Sequence, residues 1–349
     1  MALYDAVADL SVRIDEATLA RRERDTSSGF ERVTTVVSLS GDGQTGKGED
    51  VTYEATDHDA LLEAGVPDPT GEYTIEEFST RLDDLELFPD GPSREDFRHY
   101  RRWAFESAAL DLALRQADTD LASALDREYD PVRFVVSTRL GEPPTADRVE
   151  RFLAIDPDLE FKLDATAEWT DELVEELAET GSVRVIDLKG QYRTEEVDLG
   201  QSTDPDLYRR VLEGFPDAIV EDPALTDETR PVLEGHEERI SWDAPITGIE
   251  SVEALPFEPR VLNVKPSRFG SIEALFATID YCGERGIEMY GGGQFELDVG
   301  RGQIQALASL FYPDSANDVA PGGYNDPEVV EGLPRSPLDP PEQGSGFRW

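Results

Sequence analysis

The sequence predicts an α/β protein, a TIM-like (β/α)7β barrel joined to a smaller α+β unit. Three observations carry that reading. From Pro131 onward, short apolar runs alternate with segments of helical length and period, the signature of a parallel barrel. Before residue 130 the pattern is instead a hairpin followed by a long amphipathic helix. No Gly-x-Gly-x-x-Gly opens a helix after the first strand, which sets aside a doubly wound open sheet, the competing architecture.

The first unit, residues 1–130, opens on an apolar–polar stretch at Tyr4 to Ile14 and a basic loop at Arg21 to Phe30. Strand alternation follows in Glu31 to Leu39, with Gly41-Asp42-Gly43 as a hairpin turn. A second long loop, Glu54 to Glu72, contains His58. Trp103, Ala104, Ala108, Leu110, Leu112 and Leu114 fall at helical spacing and predict a helix over Tyr100 to Ala124. The second unit, residues 131–331, carries the apolar runs Val132–Val136, Leu159–Leu163, Val183–Ile186 and Ala218–Val220. The series continues with Ile240–Trp242, Val261–Val264, Ile287–Tyr290 and Asp318–Ala320. Thr170–Thr180, Pro205–Gly214 and Ser271–Gly286 have helical length and period between them. Residues 332–349, rich in Pro and Gly, predict an irregular strap packed back on the first unit.

Charge narrows the partners. The 349 residues include 32 basic and 76 acidic side chains, a formal net charge of −44. That field repels phosphate backbones and anionic headgroups, so neither nucleic acid nor a membrane surface is expected as a partner. No apolar run approaches the roughly 18 residues of a membrane helix, and Met1 to Ala17 lacks a signal-peptide pattern. A lone cysteine, Cys282, cannot form an intramolecular disulfide, which fits a cytoplasmic protein. Four lysines, Lys47, Lys162, Lys189 and Lys265, stand among the basic residues, the rest being arginine. A uniform acidic excess with so little lysine suggests adaptation to high salt, where screening removes the self-repulsion. Most carboxylates then read as solvated surface, and the places where lysine is kept become informative.

In a barrel of this kind the chemistry sits at the C-terminal strand ends. In order these carry Lys162 and Asp164, then Asp187, Glu221, Asp243, and Lys265. With 76 acidic residues in 349, three chosen positions are all acidic about 1% of the time. Three carboxylates converging on a barrel mouth repel one another unless a hard cation sits between them, and oxygen ligands suit Mg²⁺ better than zinc. The histidines His58, His99 and His236 lie off the strand ends and read as surface or loop residues. An ammonium beside a divalent cation is disfavoured, which tunes a lysine toward general-base work. A metal that binds a substrate carboxylate also stabilises the dianion formed when the adjacent carbon loses its proton.

At these residues the chain resembles the enolase superfamily, in its muconate-lactonizing and mandelate-racemase-like branch. Gly46-Lys47-Gly48-Glu49 is similar to the hairpin end of the family's capping domain, and Ala104-Phe105-Glu106-Ser107-Ala108-Ala109-Leu110-Asp111 to its signature helix. Val185-Ile186-Asp187, Val220-Glu221-Asp222-Pro223 and Ser241-Trp242-Asp243 resemble the three metal-ligand strands, and Asn263-Val264-Lys265 the sixth-strand lysine. Gly292-Gly293-Gln294-Phe295-Glu296-Leu297-Asp298-Val299-Gly300 resembles the glycine-to-glutamate segment. The resemblance implies one Mg²⁺ on Asp187, Glu221 and Asp243, a small carboxylate substrate, and a homo-oligomer. A lysine base working with Mg²⁺ is general chemistry of that superfamily.

Departures qualify the reaction. The second strand reads Lys162-Leu163-Asp164 where the family usually has Lys-x-Lys, and Lys189 stands where it usually has asparagine. Ala244 follows Asp243 where glutamate is frequent, and Asp318-Val319-Ala320 replaces the Asp-x-Asp of dipeptide epimerases. Racemisation needs a base on each face of the substrate carbon, and a carboxylate at position 164 is a poorer base than lysine. The expectation is therefore one-base chemistry, with Lys265 abstracting the α-proton ahead of elimination, dehydration or cycloisomerisation. Lys162 supports the substrate electrostatically, and Asp164 or Glu296 is the proton donor. Glu296 can donate to a substrate carboxylate only when protonated. The alternatives are a racemase or epimerase of a small carboxylic acid or amino-acid derivative, and a metal-binding member without catalysis. Specificity is expected from the capping unit closing over the mouth. Arg24 (with Arg21 and Arg22), Lys189 and Asp318 are candidates for substrate binding.

Overall fold

The described residues form three sheets: a two-stranded and a three-stranded antiparallel sheet early in the chain and a seven-stranded parallel sheet after them. The computed structural model describes residues 2–191, 203–341 and 344–349. Strand β1 (Ser11–Ile14) leads into β2 (Glu16–Asp25), β3 (Glu31–Gly41) and β4 (Gln44–Asp50), which pair antiparallel in the order β2-β3-β4. Helix α1 (Ala55–Ala64) and strand β5 (Gly71–Thr74) follow, and β5 pairs with β1. Helices α2 (Ile75–Asp83), α3 (Phe97–Gln116) and α4 (Leu121–Ala124) complete this part. Thr74 and Glu77 form a reciprocal capping box that starts α2.

Helix α3 is buried nearly all round because it lies between the antiparallel sheet and the barrel. Its closest neighbour is β4, and two glycines make the approach possible. A Cβ on Gly48 would stand 2.0 Å from the Ala104 carbonyl oxygen, and one on Gly46 would stand 2.2 Å from the Leu112 nitrogen. The next residue, Glu49, reaches the barrel. Its carboxylate accepts from Thr34 Oγ1 at 2.7 Å and from the backbone N–H groups of Leu297 at 2.7 Å and Gly300 at 2.8 Å.

Four expectations for this part are corrected. Arg21 to Arg24 lie on β2, paired with Thr35 to Arg32 of β3, and only the turn to Phe30 is loop. Residues 54–72 are mostly α1 and the start of β5. Within α1, His58 is fully buried: Nδ1 accepts from Thr35 Oγ1 at 2.9 Å and Nε2 donates to the Thr52 carbonyl at 2.8 Å. The long helix breaks where Asp118 takes a φ of +53°, and Asp120 caps the short α4 through the Ser123 N–H.

The barrel begins at β6 (Val136–Thr138), followed by α5 (Asp147–Ile155), β7 (Phe161–Asp164), α6 (Asp171–Glu179) and β8 (Val183–Asp187). Next come α7 (Pro205–Gly214), β9 (Ile219–Glu221), α8 (Arg230–Leu233), β10 (Ile240–Trp242), α9 (Ile249–Glu253) and β11 (Val261–Val264). Helices α10 (Pro266–Phe269) and α11 (Ile272–Arg285), strand β12 (Glu288–Gly291) and helix α12 (Val299–Phe311) end the series. Strands β6 to β12 pair in sequence order, all in parallel. Residues 317 and 318 close the ring through bridges Phe134↔Asn317 and Gly292↔Asp318.

The predicted first strand is shifted. Val132 pairs antiparallel with Leu338 of the strap, so the parallel ladder starts only at Val136. The eighth run, Asp318–Ala320, contributes the single bridge at Asp318 rather than a full strand. Side chains two apart share a face of a strand, so Val185 and Ile219 lie beneath Asp187 and Glu221. With Val135 and Ala316 they form a small apolar layer of their own. The strap touches α3 at Asp111, which accepts from Phe347 N at 2.8 Å and from Arg348 Nη2 at 2.7 Å, and Phe347 packs edge-on against Trp103. Among the described residues no helix is long and apolar enough to cross a membrane.

Candidate active site

A parallel ladder delivers successive strand ends to one mouth. Asp187 ends β8, Glu221 ends β9 and Asp243 directly follows β10, and all three are fully buried. Lys162, inside β7, points its ammonium among them. Its Nζ contacts Glu221 Oε1 and stands 3.6 Å from both Asp187 Oδ2 and Asp318 Oδ2. Lys189 follows β8 in the left-handed region, at φ +52°. Its Nζ contacts Asp187 Oδ2 and lies 3.2 Å from Asp164 Oδ1, while its own N–H donates to Asp187 Oδ1 at 2.9 Å. The other Asp164 oxygen accepts from Arg139 Nε at 3.1 Å.

Lys265 sits where β11 turns into α10, with Pro266 starting the short helix. Its Nζ is 2.8 Å from Asp243 Oδ2. Arg268, on α10, grips the same carboxylate with Nε 3.1 Å from Oδ1 and Nη2 3.3 Å from Oδ2. Glu221 is held from the opposite side. Its Oε2 accepts from Asn263 Nδ2 at 2.9 Å and from the Tyr290 hydroxyl, which lies 2.6 Å from Ser241 Oγ. Asp222, at φ +50°, accepts the N–H groups of Asp243 and Ala244, each at 2.9 Å, and so fixes the turn carrying Asp243.

Electrostatics divide these groups. Burial opposes ionisation of Asp243, but Arg268 and Lys265 outweigh it and hold the carboxyl far below the usual range. Asp187 is likewise held down, burial being outweighed by Lys189 and Lys162. Burial also disfavours the Lys162 charge, yet Glu221, Asp187 and Asp318 raise it well above an ordinary lysine. Glu221 goes the other way: burial and the charges of Asp187 and Asp243 exceed the help of Lys162 and push it up to about 8. Burial and the same two charges push Asp222 up to about 7. The mouth therefore carries more negative charge than its lysines neutralise.

Among the described residues no three carboxyl groups stand in the open arrangement of a metal site, because their oxygens are taken up by ammonium and guanidinium groups. The donor chemistry nevertheless suits a hard divalent cation. Three carboxylates stand at the ends of successive strands, and two neighbouring carboxyls, Glu221 and Asp222, are pushed up by burial first and then by negative charge that a cation would offset.

The structure thus gathers Lys162, Asp164, Asp187, Lys189, Glu221, Asp243, Lys265 and Asp318 at one mouth. Arg24 stands apart on β2, about half exposed and 3.4 Å from Asp326. Glu296 is buried on the loop after β12, where Oε1 accepts from Gln294 N at 2.8 Å and Oε2, 3.9 Å from Arg301 Nη2, has no hydrogen-bond partner among the described residues. Arg268, Tyr290 and Asp222 were not legible as site residues. Arg268 lies one helical turn past Lys265, a spacing that offers a signal, whereas Tyr290 reads as the apolar end of a strand.

Comparison with known proteins agrees with this architecture. Models of a family described as a domain of unknown function (DUF8230) match its C-terminal domain at residues 128–326 and its N-terminal domain at residues 5–124. No curated protein matches the chain. Among solved structures, the muconate lactonizing enzyme of Pseudomonas putida superposes with a TM-score of 0.63 at 19% identity, over 96% of this chain and 93% of that one. An enolase-superfamily member of unknown function from Enterococcus faecalis gives 0.67 at 17% identity, over 96% and 94%. A dipeptide epimerase from Methylococcus capsulatus, complexed with Mg ion, gives 0.63 at 18% identity, over 87% and 89%. These likenesses establish the fold of the enolase superfamily.

Proposed function

The chain belongs to the two-domain DUF8230 family, and from that membership and its fold we propose that it is a cytoplasmic enzyme that removes the proton α to a carboxylate. The observation that carries the reading is Lys265, held 2.8 Å from Asp243 at the mouth where Asp187 and Glu221 also end their strands. Lys265 accepts the α-proton on Nζ, and Asp243 and Arg268 fix where that nitrogen stands. Asp187, Glu221 and Asp243 would hold a Mg²⁺, which when bound stabilises the charge developing on the substrate carboxylate. Lys162 adds a buried positive charge beside the same region. The enolate then collapses by elimination, dehydration or ring closure.

One-base chemistry is supported by Asp164. One of its oxygens is 3.2 Å from Lys189 Nζ and the other accepts from Arg139 Nε at 3.1 Å, so a base role at Asp164 would compete with both cationic contacts. An enantiopure α-deuterated carboxylate should therefore wash out its label without racemising. Chiral chromatography of the recovered substrate checks this, and racemisation at the rate of exchange would move the protein to the epimerase class.

The Mg²⁺ reading has a pH signature. Glu221, near 4.5 when unfolded, is pushed up to about 8 in the fold, and Asp222 to about 7. The cation-free native state then binds more protons than the unfolded chain, so its stability falls as pH rises through 7 to 8. Mg²⁺ must displace those protons. Its gain in melting temperature should accordingly be small at pH 5.5 and grow up to about pH 8 to 9. Melting curves with Mg²⁺ and with chelator check this, and a gain that shrinks with rising pH would refute it.

A further inference from the structure

We propose that Glu49 is a positioning residue for the reaction: from the first unit it holds the loop after β12 in the shape that sets Glu296 beside the mouth. The inference rests on the proton-removal reading given above, with Glu296 as a proton donor. Glu49 is fully buried near the end of β4, and both of its oxygens reach across to the barrel. Oε1 accepts from Leu297 N at 2.7 Å, and Oε2 from Asp298 N at 3.0 Å and Gly300 N at 2.8 Å. Gly300 lies in the first turn of α12, whose N–H groups have no partner within the helix. Asp298, directly before α12, does not cap it through its own side chain; its Oδ2 is 2.7 Å from Arg22 Nε on β2 instead. A residue of the other unit therefore caps this helix.

The loop does not keep its shape unaided. Phe295 holds a φ of +57°, a left-handed conformation that a bulky side chain adopts only where its surroundings impose it. Glu296, the next residue, packs against the same backbone that Glu49 grips. A Cβ on Gly300 would stand 2.8 Å from Glu296 Cγ and 2.9 Å from Glu49 Oε2. The unpartnered Glu296 Oε2 lies against Gly293, 2.3 Å from where a Cβ there would be. Gly292, one residue back, would place a Cβ 2.8 Å from Lys265 Cε. The open oxygen thus belongs to the stretch that borders the general base, and a buried carboxyl oxygen left open is expected at a functional position. Arg32, also from the first unit, adds a second tie by donating through Nε to the Gln294 carbonyl at 3.1 Å.

The test follows amide hydrogen exchange of the full chain by mass spectrometry, without substrate, and α-deuterium uptake by a library of small carboxylates with Mg²⁺. Glu49→Gln keeps the shape but replaces one accepting oxygen by an NH₂ group that faces N–H donors. The peptide covering 294–301 should exchange about 10–100-fold faster, the loss of hydrogen bonds to a charged group, while a peptide from α11 is unchanged. Deuterium uptake should fall by up to about 10²-fold, the effect of a reacting group displaced by about 1 Å. In a Glu296→Gln background, Glu49→Gln should lower uptake no further, because both changes remove the same contribution. Thr34→Val removes one donor to Glu49 Oε1; it should act in the same direction by less, and serves if Glu49→Gln fails to fold. Unchanged protection of 294–301 in the folded variants overturns this inference alone, as does uptake that Glu49→Gln leaves unaltered, or losses that add in the double variant. No uptake by any carboxylate with wild type overturns the proton-removal reading, and the amide result then decides by itself whether Glu49 orders the loop.

Discussion

Lys265→Met should lower the rate of α-proton removal by about 10²–10⁴-fold or more, the contribution of a positioned general base. Met has nearly the volume of Lys, so packing alone should cost under about 1.5 kcal/mol. Asp243 keeps its two contacts to Arg268 in the variant, so the mouth does not collapse around an unpaired carboxylate. Lys265→Arg should fail nearly as badly, because a guanidinium stays protonated and cannot accept a proton. Rate loss with unaltered Mg²⁺ binding and unaltered melting is the pattern of a lost base. Equal loss of Mg²⁺ binding would show that Lys265 acts by ordering Asp243 instead.

The largest stability effect should come from a residue far from the chemistry. Arg101 is fully buried in α3, with Nε 2.7 Å from Asp50 Oδ2. Its Nη1 and Nη2 donate to the carbonyls of Leu87 at 2.7 Å and Asp57 at 2.9 Å, and its guanidinium lies 3.7 Å from the centre of the Phe88 ring. Burial opposes ionisation of Asp50, but Arg101 outweighs it and holds the carboxyl at about 2. Arg101→Met leaves that charge buried and unpaired, which should cost about 3–5 kcal/mol. Adding Asp50→Asn to the same chain should recover part of the loss, since the stranded charge is then gone. Urea unfolding midpoints of the three proteins decide it, and a single-variant loss below about 1 kcal/mol would show that water reaches Asp50.

What could be read in the sequence was set by periodicity. The β8 and β9 runs end on a carboxylate and the β10 run is followed directly by one, so Asp187, Glu221 and Asp243 could be read as strand-end residues from spacing alone. Contacts between elements distant in sequence were not readable. Val132 looked like the start of the first strand, and only its pairing with Leu338, some two hundred residues away, removes it. His58 looked like a loop histidine because nothing near it in sequence reveals Thr35 or Asp50. The arginines of β2 looked like loop because charged side chains on an edge strand break the alternation that marks a strand. Tyr290 was missed for a related reason: a tyrosine at a strand end is commonly core, and its role follows only from Glu221 and Ser241 on neighbouring strands.

The most direct test of the proposed chemistry is deuterium uptake at the α-carbon of a library of small carboxylates, followed by NMR in heavy water. Wild type with Mg²⁺ should exchange the α-proton of at least one library member, and chelation should abolish that exchange. Exchange that continues at the same rate in chelator would contradict the metal's part, and no exchange with any carboxylate in the presence of Mg²⁺ would contradict the proton abstraction itself.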